Sequence, residues 1–168
     1  RKSLCDSLTW FAAAMDAKSW RGPRISSTRP EAIKLKPVAS ALTALGLTPT
    51  LVCTGQHPGL GLGDYGLSHL PRLDLSCPGQ KNPHLHVAAV TRALQCWLSS
   101  ATDLLVVQGD TSSALGAALA GFEAGVAVAH AEAGLRTHDP SLPWPEEEYR
   151  TAIDADAAKT HTLRDCGG

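Results

Sequence analysis

The stretch from Leu104 to Ala131 constrains this chain more than any other. Leu104 to Val107 is a continuous apolar run bounded by Asp103 and Gly109-Asp110, and Val126 to Ala131 is a second such run. Between them, Thr111 to Ala124 is rich in alanine and is followed by Gly125. A strand that is apolar at every position is covered on both faces, the habit of a parallel sheet. Parallel neighbours need a long crossover, which an α-helix supplies. The stretch therefore reads as strand, helix, strand. It predicts an α/β fold with a doubly wound, Rossmann-like parallel sheet, and functional residues in the loops at the strand C-termini.

The flanking segments fit the same alternation. Thr28 and Glu31 stand three apart around Pro30, a capping-box spacing with proline in the first turn. A helix is predicted from there through Ala44 or Leu45, stopped by Gly46. Pro37 predicts a kink or break near its start. Thr48 to Thr54 reads as a strand, and residues 55–83, rich in Gly and Pro, as irregular chain. His84 to Leu98 is an amphipathic helix with Val87, Val90, Leu94, Trp97 and Leu98 on one face. Pro145 opens a last helix that runs to about Ala158. Residues 1–24 show no coherent period and read as an N-terminal extension to a domain spanning 25–168.

A length of 168 residues suits one domain with a sizeable core. The hydrophobic fraction of 43% and net charge of -1 argue against a nucleic-acid or anionic-membrane binder, which needs a basic stripe. Cys5, Cys53, Cys77, Cys96 and Cys166 are odd in number and form no Cys-x-x-Cys pair. Free thiols in a reducing cytoplasm are expected. Glycines and Glu123 interrupt the longest apolar stretch, Ala114 to Ala131, so no membrane span is expected. Asp6 and a short apolar core weigh against a signal peptide.

Several groups carry chemistry. Gly61-x-Gly63-x-x-Gly66 matches a dinucleotide-binding string, but Pro58 and Gly59 part it from the strand, so it reads as a loop. His84 and His86 lack Cys or acidic partners at ligand spacing and read as surface histidines rather than metal ligands. Arg29 and Lys34 flank the first turns of a helix whose N-terminus suits a phosphate; the alternative is a solvated cationic face. Asp110 is either a helix N-cap or a functional carboxylate. Glu132 closes an apolar strand, where it either pairs with Arg136 or serves as a base. Glu146, Glu147 and Glu148 open a helix, where acidic residues are favoured by the dipole alone. Asp110, Glu132 and the Glu146 turn all follow successive parallel strands, which gathers them along one sheet edge with the basic residues. That convergence suggests proton transfer on an anionic substrate.

With these segments in order, the chain resembles the non-hydrolysing UDP-N-acetylglucosamine 2-epimerases. The resemblance rests on Thr28-Arg29-Pro30-Glu31-Ala32-Ile33-Lys34, Thr54-Gly55-Gln56-His57 and Gly109-Asp110-Thr111. His130 to Arg136 and Pro143-Trp144-Pro145-Glu146-Glu147 through Thr151 complete it. It implies one half of a two-domain, GT-B-type architecture that interconverts UDP-GlcNAc and UDP-ManNAc without metal or redox cofactor. The implied route is elimination of UDP to a 2-acetamidoglucal and re-addition of UDP, in the service of cell-surface polysaccharide precursors. By motif position Asp110, Glu132 and Glu146 match the family's acidic catalytic residues. Arg29, Lys34 and Arg136 match its substrate-binding cations, and Gln56 and His57 a segment near an activating second UDP-GlcNAc. A homodimer is implied for the full-length enzyme. The resemblance covers only the first domain, so the second, UDP-binding domain is expected to be missing here. Two other readings remain open at this point: an inactive remnant or lone sugar-nucleotide-binding domain, and a GT-B glycosyltransferase.

Overall fold

The computed structural model describes residues 24–27, 29–56, 66–98, 102–139 and 141–160, with side chains from Ile33 to Ala157. The expected extension, apart from Arg24, lies outside the described residues, as do His57, Gly61 and Gly63. In chain order the elements are β1 (Arg24–Ser27), α1 (Arg29–Ala44), β2 (Thr50–Cys53), β3 (Arg72–Asp74) and α2 (Pro83–Gln95). They continue with β4 (Leu104–Gln108), α3 (Ser112–Glu123), β5 (Ala127–Ala131) and α4 (Glu146–Thr160).

The strands form one sheet in the order β3-β2-β1-β4-β5, every neighbouring pair parallel. In the centre Ile25 stands between Leu51 and Val106, and Val106 in turn pairs with Ala129. The chain winds from β1 to one edge and then returns to fill the other. The order therefore reverses between β1 and β4, and in such sheets ligands bind in the crevice beyond the strand C-termini at that switch point.

Alternate residues of each strand feed opposite cores, because side chains leave a strand with a period of two. Leu51, Cys53, Leu104, Val106, Ala129 and Ala131 meet Leu35, Val38, Ala39 and Leu42 of α1. Val52, Leu105, Val107 and Val128 meet α2, α3 and α4 on the other face. Every residue of β4 is buried, as the apolar run requires. The small residues of α3 allow close approach. A Cβ at Gly116 would lie 2.8 Å from the Val87 carbonyl oxygen of α2, and one at Gly121 would lie 2.6 Å from Val128 Cγ2 of β5.

Helix ends follow the local signals. The Gly46 N–H bonds the Thr43 carbonyl and the Leu47 N–H the Leu42 carbonyl, a Schellman close for α1. Gly125 and Val126 close α3 in the same way. Pro37, however, does not break α1, which runs on through it. Proline removes one N–H donor, but Leu35, Val38, Ala39 and Leu42 around it are buried against the sheet and hold the helix together. Three further expectations are corrected. The irregular stretch contains β3, a three-residue edge strand in which only Leu73 is partly buried, organised by pairing with β2. Trp97 follows the end of α2 and is 54% exposed rather than on the buried face. His86 is buried, not at the surface: its Nδ1 lies 2.7 Å from Ser112 Oγ and its Nε2 3.1 Å from the Cys77 carbonyl.

Candidate active site

The site is built from the turns that leave β4 and β5, the body of α1 and the start of α4. After Gln108 the chain turns through Gly109, whose φ of 73° suits glycine, into Asp110. The cap of α3 is Thr111, whose hydroxyl accepts the Ala114 N–H at 3.2 Å, so Asp110 is not the N-cap. Its carboxylate instead meets the Arg150 guanidinium from α4.

After Ala131, Glu132 takes a left-handed backbone, φ 68°, which is uncommon for a residue with a Cβ. Its carboxylate binds Lys34 of α1, with Nζ 2.8 Å from Oε1 and 3.0 Å from Oε2. Gln108 Nε2 donates to Oε2 at 2.5 Å. A Cβ on Gly109 would lie 4.0 Å from that same Oε2, so Glu132 stands beside the Gly109-Asp110 turn. The Glu132 side chain is 37% exposed, open enough to meet a substrate. Of the two readings of Glu132, the pair with Arg136 does not form. Arg136 reaches Asp154 of α4 at 2.6 Å, because the turn sends Glu132 back toward α1 and Arg136 on toward α4.

Asp154, which sequence reasoning missed, ties the region together. It accepts from His130 Nδ1 at 2.5 Å, from the Gly134 N–H at 2.9 Å and from Arg136 Nη2 at 2.6 Å. Burial alone pushes its carboxyl up, but the His130, Arg136 and Gly134 hydrogen bonds outweigh that and bring it down to about 2. His130 Nε2 lies 2.7 Å from the Gly109 carbonyl, so the imidazole links α4 to the turn that carries Asp110. No local pattern marks Asp154; only the packing of α4 on β5 brings it here.

The acidic start of α4 divides its tasks. Glu147 is buried, pairs with Arg150 at 3.4 Å and accepts the His138 N–H at 3.3 Å. Burial raises its carboxyl, while the Thr137 and His138 donors and the Arg150 charge prevail and hold it below the usual range. Glu148 is exposed. Glu146 has an Oε2 that is buried with no hydrogen-bond partner among the described residues. Gln56 lies beyond β2, where its Oε1 accepts from Ser113 Oγ at 2.7 Å. Arg29 opens α1, but its side chain, like all of His57, lies outside the described residues. Burial pushes the Cys53 and Cys77 thiols up, which makes them poor nucleophiles. Cys53, Cys77 and Cys96 are all free thiols. No group of three His, Cys, Asp or Glu side chains gathers in a metal-binding arrangement among the described residues. No helix among them is long and apolar enough to cross a membrane.

A parallel sheet of this order, with cations and carboxylates bridged across its switch point, is one Rossmann-like half of a GT-B-type architecture. The family model described as UDP-N-acetylglucosamine 2-epimerase matches residues 41–163. The chain belongs to the UDP-N-acetylglucosamine 2-epimerase family. It is 37% identical over 131 residues to the UDP-N-acetylglucosamine 2-epimerase of Escherichia coli K12, covering 76% of this chain and 35% of that protein. Against the Yersinia pestis enzyme of the same name it is 36% identical over 130 residues, covering 75% and 35%. The crystal structure of the Neisseria meningitidis UDP-GlcNAc 2-epimerase bound to UDP-GlcNAc superposes with a TM-score of 0.71 at 32% identity, covering 81% of this chain and 38% of that one. The chain thus spans little more than a third of the length of the relatives it matches.

Proposed function

We propose that this chain is the N-terminal domain of an enzyme that interconverts UDP-GlcNAc and UDP-ManNAc. The observation that carries the reading is the Lys34–Glu132–Gln108 cluster at the switch point, beside the Gly109-Asp110 turn. Epimerisation at C2 requires a base to take the C2 proton and an acid to return one to the opposite face. It also requires positive charge where the diphosphate departs. Asp110, Glu132 and Glu146 are the candidate acids and bases. Lys34 and Arg29 are the candidate cations for the sugar nucleotide. Arg136, a third candidate cation for the substrate, is held by Asp154, which also fixes the turn that carries Glu132. Gln56, anchored to Ser113 at the same edge, remains with His57 the candidate contact for an activating second UDP-GlcNAc.

The second wall of the cleft is supplied by a further domain, and reacting groups held from one side only give slow turnover. The full enzyme acts in the cytoplasm as a homodimer, with its product feeding polysaccharide synthesis.

The test uses this chain fused to the C-terminal remainder of the Escherichia coli relative, with UDP-GlcNAc in heavy water. Deuterium at C2 of the sugar, read by NMR, is the expected result. Glu132→Gln should abolish that exchange while leaving the fold unchanged by circular dichroism. Sugar transfer to an acceptor with no deuterium at C2 would instead establish a glycosyltransferase. Nucleotide-sugar binding with neither reaction would leave a binding domain.

A further inference from the structure

Gln108 ends β4, is 3% exposed, and lies against Glu132. Its Nε2 donates to Glu132 Oε2 at 2.5 Å, while its Oε1 is buried with no hydrogen-bond partner among the described residues. A buried amide with an orphaned oxygen does not serve stability, since an apolar side chain of similar length escapes that penalty. The amide's orientation follows from chemistry. Turned over, its oxygen would face a carboxylate oxygen with no hydrogen between them.

Lys34 approaches the same carboxylate from α1 and contacts both oxygens. Ammonium and amide N–H groups only donate, so each of these contacts calls for a Glu132 oxygen that accepts. The neighbouring charges are engaged elsewhere: Asp110 with Arg150, and Asp154 with His130 and Arg136. The left-handed backbone of Glu132 sets where its side chain departs from β5.

From this arrangement we infer that Gln108 is a positioning residue that holds Glu132 as an oriented, ionised carboxylate, ready to take a proton. The inference rests on the epimerase reading and names the carboxylate that begins its cycle. The C2–H bond breaks and its proton goes to a Glu132 oxygen. The freed electron pair forms the C1=C2 double bond, and the C1–O bond breaks with its pair leaving on UDP. Lys34 offsets the Glu132 charge, and Gln108 fixes the direction of Oε2 without adding charge of its own.

The first experiment needs only this chain. The Glu132 side-chain carboxyl is followed by 13C NMR against pH, with Glu132→Gln identifying its signal. Gln108→Met should raise the Glu132 midpoint relative to the wild-type chain, because a donor to the ionised form is lost. Its thermal midpoint should hold or rise, because the orphaned oxygen goes with the amide. Gln108→Glu sets a second carboxylate against the first and should drive a midpoint further up. In the fusion, Gln108→Met should lower kcat for C2 exchange about 100-fold with little change in KM. The acid limb of its pH profile should move up with the NMR midpoint. An unmoved midpoint in both variants, or lost stability with an unmoved midpoint, overturns the inference. A shifted midpoint in a chain whose wild-type fusion performs no exchange removes the epimerase reading and leaves the Gln108–Glu132 coupling standing.

Discussion

Replacing Asp154 with asparagine tests the clamp that fastens the turn after β5 to α4. The Asp154 side chain is 12% exposed and accepts from His130, Gly134 and Arg136. Its carboxyl falls from an ordinary 3.8 to about 2 in the folded chain. That gap is worth at most about 2.5 kcal/mol, and solvent screening at a partly open site reduces it to about 1–2 kcal/mol. A group depressed on folding stabilises the fold above its unfolded value and loses that contribution as pH falls through the folded one. The increment is therefore complete above pH 5 and fades between about pH 4 and pH 2. Asparagine keeps an oxygen for Gly134 and Arg136 and faces His130 Nδ1 with its amide N–H, which the neutral Nε2–H imidazole accepts, so the loss is that of the charge. Urea denaturation followed by circular dichroism should show Asp154→Asn less stable by about 1–2 kcal/mol at pH 7. With a slope of about 2 kcal/mol per molar, the midpoint falls by about 0.5–1 M. The difference should shrink as both proteins are taken from pH 5 to pH 2.5. A variant with wild-type stability at pH 7, or a gap that stays constant with pH, would refute the electrostatic account of this clamp.

Gly121→Ala puts a Cβ 2.6 Å from Val128 Cγ2 and 3.1 Å from Leu105 Cδ2. Despite a gain in helix propensity of about 1 kcal/mol, it should destabilise by about 1–3 kcal/mol, read from the urea midpoint. Lys34→Gln leaves Glu132 without its cation, so C2 exchange in the fusion should fall at least about 100-fold while the far-ultraviolet spectrum stays unchanged.

Much of the scaffold was legible along the chain. β4, α3 and β5 announced themselves because a strand covered on both faces must be apolar throughout, and because Gly125 stops the alanine-rich helix; its cap, read as a candidate at Asp110, is Thr111. The gathering of Asp110 and Glu132 at one edge also followed, since parallel strands all end on the same side. Other features were hidden. β3 has a single partly buried residue and draws its order from the backbone of β2. Pro37 looked like a breaker because local propensity cannot see the core that α1 covers.

The family motifs and the alternating strands and helices were determined by the sequence alone, through nearest-neighbour rules: period, caps and the cost of burying polar groups. The partners of the charged groups were decided only by the tertiary structure. Nearness in sequence offered Arg136 to Glu132, yet Lys34, 98 residues away, holds it, and Asp154 takes Arg136. His86, expected at the surface, is enclosed between Ser112 and the Cys77 carbonyl. The reason is physical. Periodicity says which face of an element is buried, but a charge is satisfied by whatever donor or acceptor the packed elements bring within about 3 Å. That distance is set by the winding of the whole sheet.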